Sequence, residues 1–322
     1  MYDLLVVGAG PAGLTAAIYA RRAGKTVVVI EKSTFGGQIT FSPKIENYPG
    51  FEMISGNELA DKMVSQAIGL GAEIELGEVS GIRKEGVKYI TTADGTDYES
   101  YAVVVASGAA HRRLGLEGEE ELIGHGISFC AVCDGAFYAG KDVIVVGGGN
   151  SAIVEASLLA ETCKSLTIVQ NLPTLTGEKT AAEALLAKKN VKAIYNTVVT
   201  GYQSENGELT AVEVKDTDGK TSVLTTDGVF LAIGLAPDNK PFASVVPLDK
   251  QGYILASETT DVGCGGIFAA GDCRTKAIRQ ISTATADGAT AALYACNYID
   301  AVLKGQTPKS ENGARDDGKK EH

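Results

Sequence analysis

The 322-residue sequence has no tryptophan, only three histidines and three methionines, and no surplus of positive charge. Each shortage excludes something. Histidines at 111, 125 and 322 are too few and too scattered for a metal centre, and no metal is expected. A formal charge of −11 gives a surface that repels phosphate backbones, which argues against a nucleic-acid partner. No apolar run reaches the roughly 18 residues that suggest a membrane span. Met1-Tyr2-Asp3 leads straight into a strand with no secretory leader, so a cytoplasmic location is expected. In that reducing compartment most of the six cysteines (130, 133, 163, 264, 273 and 296) should be free thiols serving as small buried hydrophobes. Only Cys130 and Cys133 have an informative spacing.

Glycine, by contrast, is abundant at 39 residues, and it punctuates an internal repeat. Residues 3–31 read DLLVVGAGPAGLTAAIYARRAGKTVVVIE, and residues 142–170 read DVIVVGGGNSAIVEASLLAETCKSLTIVQ. Each copy is a short apolar strand, a glycine-rich turn, an apolar-periodic helix and a β-branched second strand, which is the dinucleotide-binding βαβ unit. Gly8 permits the tight turn, Gly10 lets backbone approach a pyrophosphate, and Gly13 allows close helix–strand packing. Gly147, Gly149 and Ala152 hold the matching places. A pyrophosphate would lie at each helix N-terminus, where backbone N–H groups and the dipole favour negative charge. One fingerprint is weak; two in the same context are strong. The interval from Gly8 to Glu31 equals that from Gly147 to Gln170. Glu31 is therefore placed to accept a bond from a ribose hydroxyl, and Gln170 occupies the same place without a charge.

Between the copies lies Phe129-Cys130-Ala131-Val132-Cys133-Asp134-Gly135. A C-x-x-C motif is half a zinc site, a redox disulfide or an inert pair. No second C-x-x-C or histidine pair completes a zinc site, so redox use is the better reading. An acid directly after the second cysteine can deliver or remove a proton during thiol–disulfide exchange.

These stretches together resemble the low-molecular-weight thioredoxin reductases: GAGPAG at 8–13, GGQ at 36–38, ENYPG at 46–50, CAVCDG at 130–135, GGGNSA at 147–152, AAGDC at 269–273 and RQ at 279–280. The resemblance covers residues 1–304 and implies an α/β fold of two Rossmann-like dinucleotide-binding domains, the second inserted into the first. The expected division is an FAD-binding part at 1–114, a nicotinamide-type domain carrying the C-x-x-C at 115–240, the rest of the FAD domain at 241–304, and a disordered tail at 305–322. It further implies that Gly8, Gly10, Pro11, Ala12, Gly13 and Glu31 hold the FAD pyrophosphate and ribose. Gly37, Gln38 and Asn47 would line the flavin side, Gly271 and Asp272 the ribityl-phosphate region, and Arg279, Gln280 and Ile281 the isoalloxazine. Gly147, Gly149, Asn150, Ser151 and Gln170 would form the second dinucleotide site. Cys133 would receive electrons from the flavin, Cys130 would attack thioredoxin, and Asp134 would act as acid and base. A homodimer is implied as well.

The sequence departs from that pattern in one place. NADPH-dependent members carry H-R-R-x-x-x-R after the second unit; here those positions are Gln170, Asn171, Leu172 and Thr176. Without guanidinium groups a 2′-phosphate loses its charge-assisted bonds, which argues against NADPH. NADH is the favoured donor, because GGGNSA survives and Gln170 can bond an unphosphorylated ribose; the alternatives are a vestigial pocket with ferredoxin or a reduced deazaflavin as donor, and glycines kept only for packing. Two further readings compete for the activity itself, an NADH oxidase-type flavoprotein and a non-catalytic flavin-bound redox sensor. Cys163 and Cys296 read as helix packing, Cys264 and Cys273 as two unpaired buried thiols, and His111-Arg112-Arg113 as a solvated crossover.

Overall fold

The computed structural model describes residues 1–42 and 44–306, so all but the first two positions of the tail expected at 305–322 lie outside the described residues. The chain divides into two compact units: residues 1–110 with 236 onward, and residues 111–235 between them. The fold is the expected α/β class, two Rossmann-like units with the second inserted into the first.

The first unit opens with β1 (Tyr2–Val7), α1 (Pro11–Arg22) and β2 (Val27–Glu31). All four of Leu4, Leu5, Val28 and Val29 are fully buried, as in a parallel strand covered on both faces. Then come α2 (Gly56–Gly69), β3 (Glu73–Leu76), and the antiparallel run β4 (Val79–Glu85), β5 (Lys88–Ala93) and β6 (Thr96–Val105). Ser55 caps α2 by accepting the Glu58 N–H, and Glu58 lies in the first turn where the helix dipole favours an acid.

The chain crosses into the second unit through β7 (Ala110–His111) and returns through β16 (Leu235–Ala236), which run as a two-stranded ribbon. Between them lie α3 (Glu119–Leu122), β8 (Ile127–Ser128), α4 (Ala131–Asp134), β9 (Asp142–Val146), α5 (Asn150–Leu159), β10 (Ser165–Val169), α6 (Lys179–Leu186) and β11 (Val191–Ile194). An antiparallel meander, β12 (Thr197–Glu205), β13 (Glu208–Asp216) and β14 (Thr221–Thr225), precedes β15 (Gly228–Leu231). The parallel sheet of this unit has the order β11-β10-β9-β15-β8.

Back in the first unit, β17 (Ile267–Ala269) pairs with β6, completing the sheet ordered β3-β2-β1-β6-β5-β4. The chain's longest helix, α7 (Ile281–Leu303), then packs along α1. Alanines line both faces: Ala12, Ala16, Ala17 and Ala20 on α1, and Ala284, Ala291, Ala292 and Ala295 on α7, all buried. Small side chains let the helices approach closely and press α1, with its glycine turn, onto the sheet. Gly13 is part of that fit, since a Cβ there would come within 1.9 Å of the Gly8 carbonyl oxygen.

The isolated cysteines divide differently from the expectation. Cys163 is buried just past α5, and Cys273 and Cys296 are buried too, but Cys264 is exposed in the glycine-rich loop before β17. His111 is likewise no solvated crossover residue. It stacks on Phe129 with ring centroids 4.7 Å apart, and burial first, then the nearby Arg113, push its pKa down to about 4. The Arg113 guanidinium pairs with Glu120.

Candidate active site

In the first unit, β1 ends in a turn whose Gly8 adopts φ +101°, a conformation that L side chains rarely take. A Cβ there would also lie 2.4 Å from the Ala106 carbonyl oxygen. Gly10 occupies the cap position of α1 with Pro11 following, and no side chain caps the helix. Pro at the first helical position costs no hydrogen bond, because that N–H has no intrahelical acceptor. The Glu31 carboxylate, at the end of β2, accepts the Ala9 N–H at 2.7 Å and the Ser33 N–H at 2.9 Å. That braces the turn while leaving further lone pairs on a buried acid. A pocket opens beside Gly8 and Glu31, lined also by Lys32, Val79, Ser107 and Phe242.

Other parts of the first unit converge on the same turn. The Gly36 N–H donates to the Ala9 carbonyl at 2.8 Å, and Gly37, at φ +59°, lies against Gly10. Gln38 is exposed on the short 3-10 turn that Gly37 begins. Asn47 Nδ2 donates to Gln280 Oε1 at 3.3 Å. Gln280 caps α7, and Ile281 is that helix's first residue. Arg279 holds its guanidinium 4.3 Å over the Tyr253 ring and donates to the Asp272 carbonyl. Gly271, at the end of β17, faces Ala12.

Asp272 supplies the test of fit for FAD. Its Oδ1 is buried with no hydrogen-bond partner among the described residues, and burial pushes its carboxyl upward. An acceptor orphaned in this way calls for a hydroxyl donor from a bound molecule. With the uncapped α1 N-terminus and the glycine cradle, the residues fit an adenine dinucleotide carrying a polyol.

Beneath this cradle lies a charge cluster that no sequence motif announces. Asp287 on α7 accepts two bonds from the Arg274 guanidinium, at 2.8 and 2.7 Å, one from Lys276 at 2.9 Å and one from the Gly271 N–H at 3.0 Å. Burial opposes ionisation of Asp287, but the bonds from Arg274 and Lys276 outweigh it and hold the carboxyl below its ordinary range. No pattern in the sequence marks the cluster, because its members meet only when α7 docks.

In the second unit Cys130 and Cys133 form a disulfide with Cα atoms 5.3 Å apart. Cys130 caps the short α4, its sulfur accepting the Cys133 N–H at 3.2 Å. The Ser128 hydroxyl donates to Asp134 Oδ2 at 2.6 Å and accepts the Cys130 N–H at 3.2 Å. Asp134 Oδ1 is buried without a hydrogen-bond partner among the described residues. Burial raises the Asp134 carboxyl, the Ser128 bond offsetting part of that rise. The turn thus combines a disulfide with a desolvated carboxyl.

The second glycine turn is also built, with Gly147 at φ +128° and Gly149 at the cap of α5, again with no side-chain cap. Ser151 is exposed in the first turn of α5. Gln170 is 3% exposed and folded against Gly148. Its Nε2 donates to the Thr174 carbonyl at 3.1 Å and its Oε1 accepts the Asn171 N–H at 3.1 Å. The following segment is tied back to the turn: the Thr176 N–H donates to the Gly148 carbonyl at 2.7 Å and the Glu178 N–H to Asn150 Oδ1 at 2.7 Å.

Residues 2–288 match the family model described as pyridine nucleotide-disulphide oxidoreductase. The thioredoxin reductase of Listeria innocua is 41% identical over 302 residues, covering 93% of this chain and 94% of the relative. This chain belongs to the low-molecular-weight thioredoxin reductases. It is accordingly an FAD-dependent disulfide oxidoreductase. The thioredoxin reductase structure from Streptococcus pyogenes superimposes with a TM-score of 0.89 at 37% identity, over 94% of this chain and 99% of that one. Another relative of this thioredoxin reductase family member, from Clostridium pasteurianum, is described as a 34.2 kDa protein in a rubredoxin operon; it is 44% identical over 92% of this chain and 97% of its own length. No described helix is long and apolar enough to cross a membrane.

Proposed function

We propose that this chain reduces thioredoxin, passing electrons from FAD through the Cys130–Cys133 disulfide, with a donor other than NADPH. The observation that carries the reading is the disulfide itself, formed on a turn that also holds the desolvated Asp134. When bound, FAD supplies the two electrons that open this disulfide. Cys130, as thiolate, then attacks the partner's disulfide; its new S–S bond displaces one partner sulfur as a thiolate, and Asp134 supplies the proton that sulfur takes up. Cys133 gives its proton to the Asp134 carboxylate and attacks Cys130, re-forming the internal disulfide and displacing the second partner sulfur, which takes up that proton as it leaves. Gly8 to Gly13, Glu31, Gly37, Gln38, Asn47, Gly271, Asp272, Arg279, Gln280 and Ile281 are the residues we assign to FAD. A homodimer is the assembly we expect in solution.

Two donors remain in competition, NADH and a ferredoxin or reduced deazaflavin. Against NADH stands Gln170, whose carboxamide is engaged at both ends by its own loop and would have to leave those bonds to meet a ribose. The segment is also tied back to the start of α5 by the Glu178 backbone N–H, which donates to Asn150 Oδ1 where a pyrophosphate would lie. On these grounds we rank ferredoxin first, two single electrons being delivered for each disulfide opened.

Cys130→Ser or Cys133→Ser should abolish thioredoxin reduction; full turnover by either variant refutes the assignment. An anaerobic titration separates the donors. Bleaching of the flavin by reduced ferredoxin but not by NADH supports the first ranking, and rapid bleaching by NADH reverses it. Oxygen uptake with NADH undiminished by Cys133→Ser would instead mark an oxidase.

A further inference from the structure

The redox turn has a second carboxyl that the mechanism above does not use. Glu155 lies on α5, outside the C-x-x-C motif, and its Oε2 accepts the N–H of Ala131, the residue directly after Cys130. The bond links the helix of the second dinucleotide unit to the backbone between the two sulfurs.

We propose that Glu155 is a positioning residue of the redox turn, fixing the backbone at Ala131 and setting through its negative charge how readily Cys130 becomes a thiolate. The proposal rests on the reading of Cys130–Cys133 as the redox couple.

The surroundings make the charge effective. α5 packs on β9 and β10 through Val143, Val145, Leu166 and Ile168, all buried and apolar, so no counter-charge comes from the sheet. From α6, Lys179 lies 3.8 Å from Glu183, and both are exposed. On the side of the redox turn the charged group facing Glu155 is Asp134, of the same sign; Tyr138, on the 3-10 turn after α4, faces Asp134 in turn. Burial first, and the Asp134 charge, push the Glu155 carboxyl upward, the Ala131 bond opposing them. No cation is among the groups that shift it. A carboxylate held there, with no partner of opposite sign among the described residues, disfavours a second negative charge on the neighbouring sulfur. It also occupies a backbone N–H that would otherwise be free to stabilise that sulfur. Both effects raise the thiol and make the dithiol a weaker acid, which favours electron release to a partner over storage as thiolate.

Glu155→Gln separates charge from position, since its amide oxygen can still accept the Ala131 N–H. The test uses the FAD-loaded Cys133→Ser enzyme, so that Cys130 is a free thiol, with and without Glu155→Gln. Alkylation of Cys130 by iodoacetamide is followed by peptide mass spectrometry from about pH 6 to 10, the thiol range. Resolving the peptide keeps the exposed Cys264 from contributing. We expect the midpoint to fall by about one unit, so that alkylation at neutral pH rises roughly tenfold. An unchanged midpoint overturns the proposal and leaves Glu155 as an anchor alone. Should Glu155→Gln fail to fold, Glu155→Ala removes the charge and the Ala131 bond together, so that an unchanged midpoint there overturns the proposal and a fall supports the combined effect of charge and bond. Because the readout needs no thioredoxin, loss of the thioredoxin assignment would leave this result standing, and the reverse holds as well.

Discussion

Gly288 sits where α7 crosses α1, and Gly288→Ala is the substitution whose outcome the packing determines most directly. A Cβ at that position would lie 2.1 Å from the Ala12 carbonyl oxygen, 3.0 Å from its carbon and 3.1 Å from the Ala16 nitrogen. All three contacts are backbone, so no side chain can rotate away. One helix must move by roughly 1 Å to restore an ordinary contact. Alanine is the better helix former by about 0.5–1 kcal/mol, and this favourable part is set against overpacking that costs typically 1–3 kcal/mol. Backbone opposing backbone puts the cost at the upper end, so the net expectation is destabilisation by about 1–2 kcal/mol. The shift also reaches the cofactor turn, because Ala12 belongs to GAGPAG and faces Gly271. FAD affinity should therefore fall together with stability. Gly69→Ala is the matched control: it ends α2, is exposed, and a Cβ there meets nothing within 4 Å. That variant should gain up to about 0.5–1 kcal/mol and bind FAD unchanged. Urea unfolding followed by circular dichroism, with FAD release read from flavin fluorescence against a tryptophan-free background, measures both. Gly288→Ala as stable as Gly69→Ala would show that α1 and α7 do not meet backbone to backbone at this crossing.

Asp287→Asn should cost about 3–5 kcal/mol, because it removes the one carboxylate that Arg274 and Lys276, both buried, pair with directly among the described residues. Flavin release and thermal melting should both shift; a melting temperature within a degree or two of wild type would refute this. Since the Asp287 carboxyl is held below its ordinary value, its contribution is complete above about pH 3.9 and is lost only as pH falls through the lower folded value. His111 works in the other window. Folded, it stays neutral down to about pH 4, whereas the unfolded chain takes up its proton near 6.5. Stability is thus lost as pH falls from about 6.5 to about 4, by at most about 3–4 kcal/mol. His111→Phe keeps the ring against Phe129 and should flatten that part of the profile; an identical pH dependence in wild type and variant would show that His111 titrates normally.

The two dinucleotide units were legible in the sequence because their physics is local. A strand that ends in a glycine needing φ above zero, a helix that begins without a side-chain cap, and an equal interval to Glu31 and Gln170 are all written within about 30 contiguous residues. The two-unit α/β architecture and the pairing of nearby Cys130 with Cys133 follow from such short-range patterns. Interactions across the chain were not legible. Nothing in VEASLL marks Glu155 as the acceptor of the Ala131 N–H, and nothing in ATADGAT marks Asp287 as the anion between Arg274 and Lys276. Cys264 and Cys273 look alike in sequence, yet one is exposed and the other buried, because β17 carries only the second into the core. His111 reads as polar linker until Phe129 covers it. Turn geometry and periodicity belong to the local backbone and can be read in order. Charge pairing, desolvation and burial depend on which distant surfaces meet, and only the packed tertiary structure decides that.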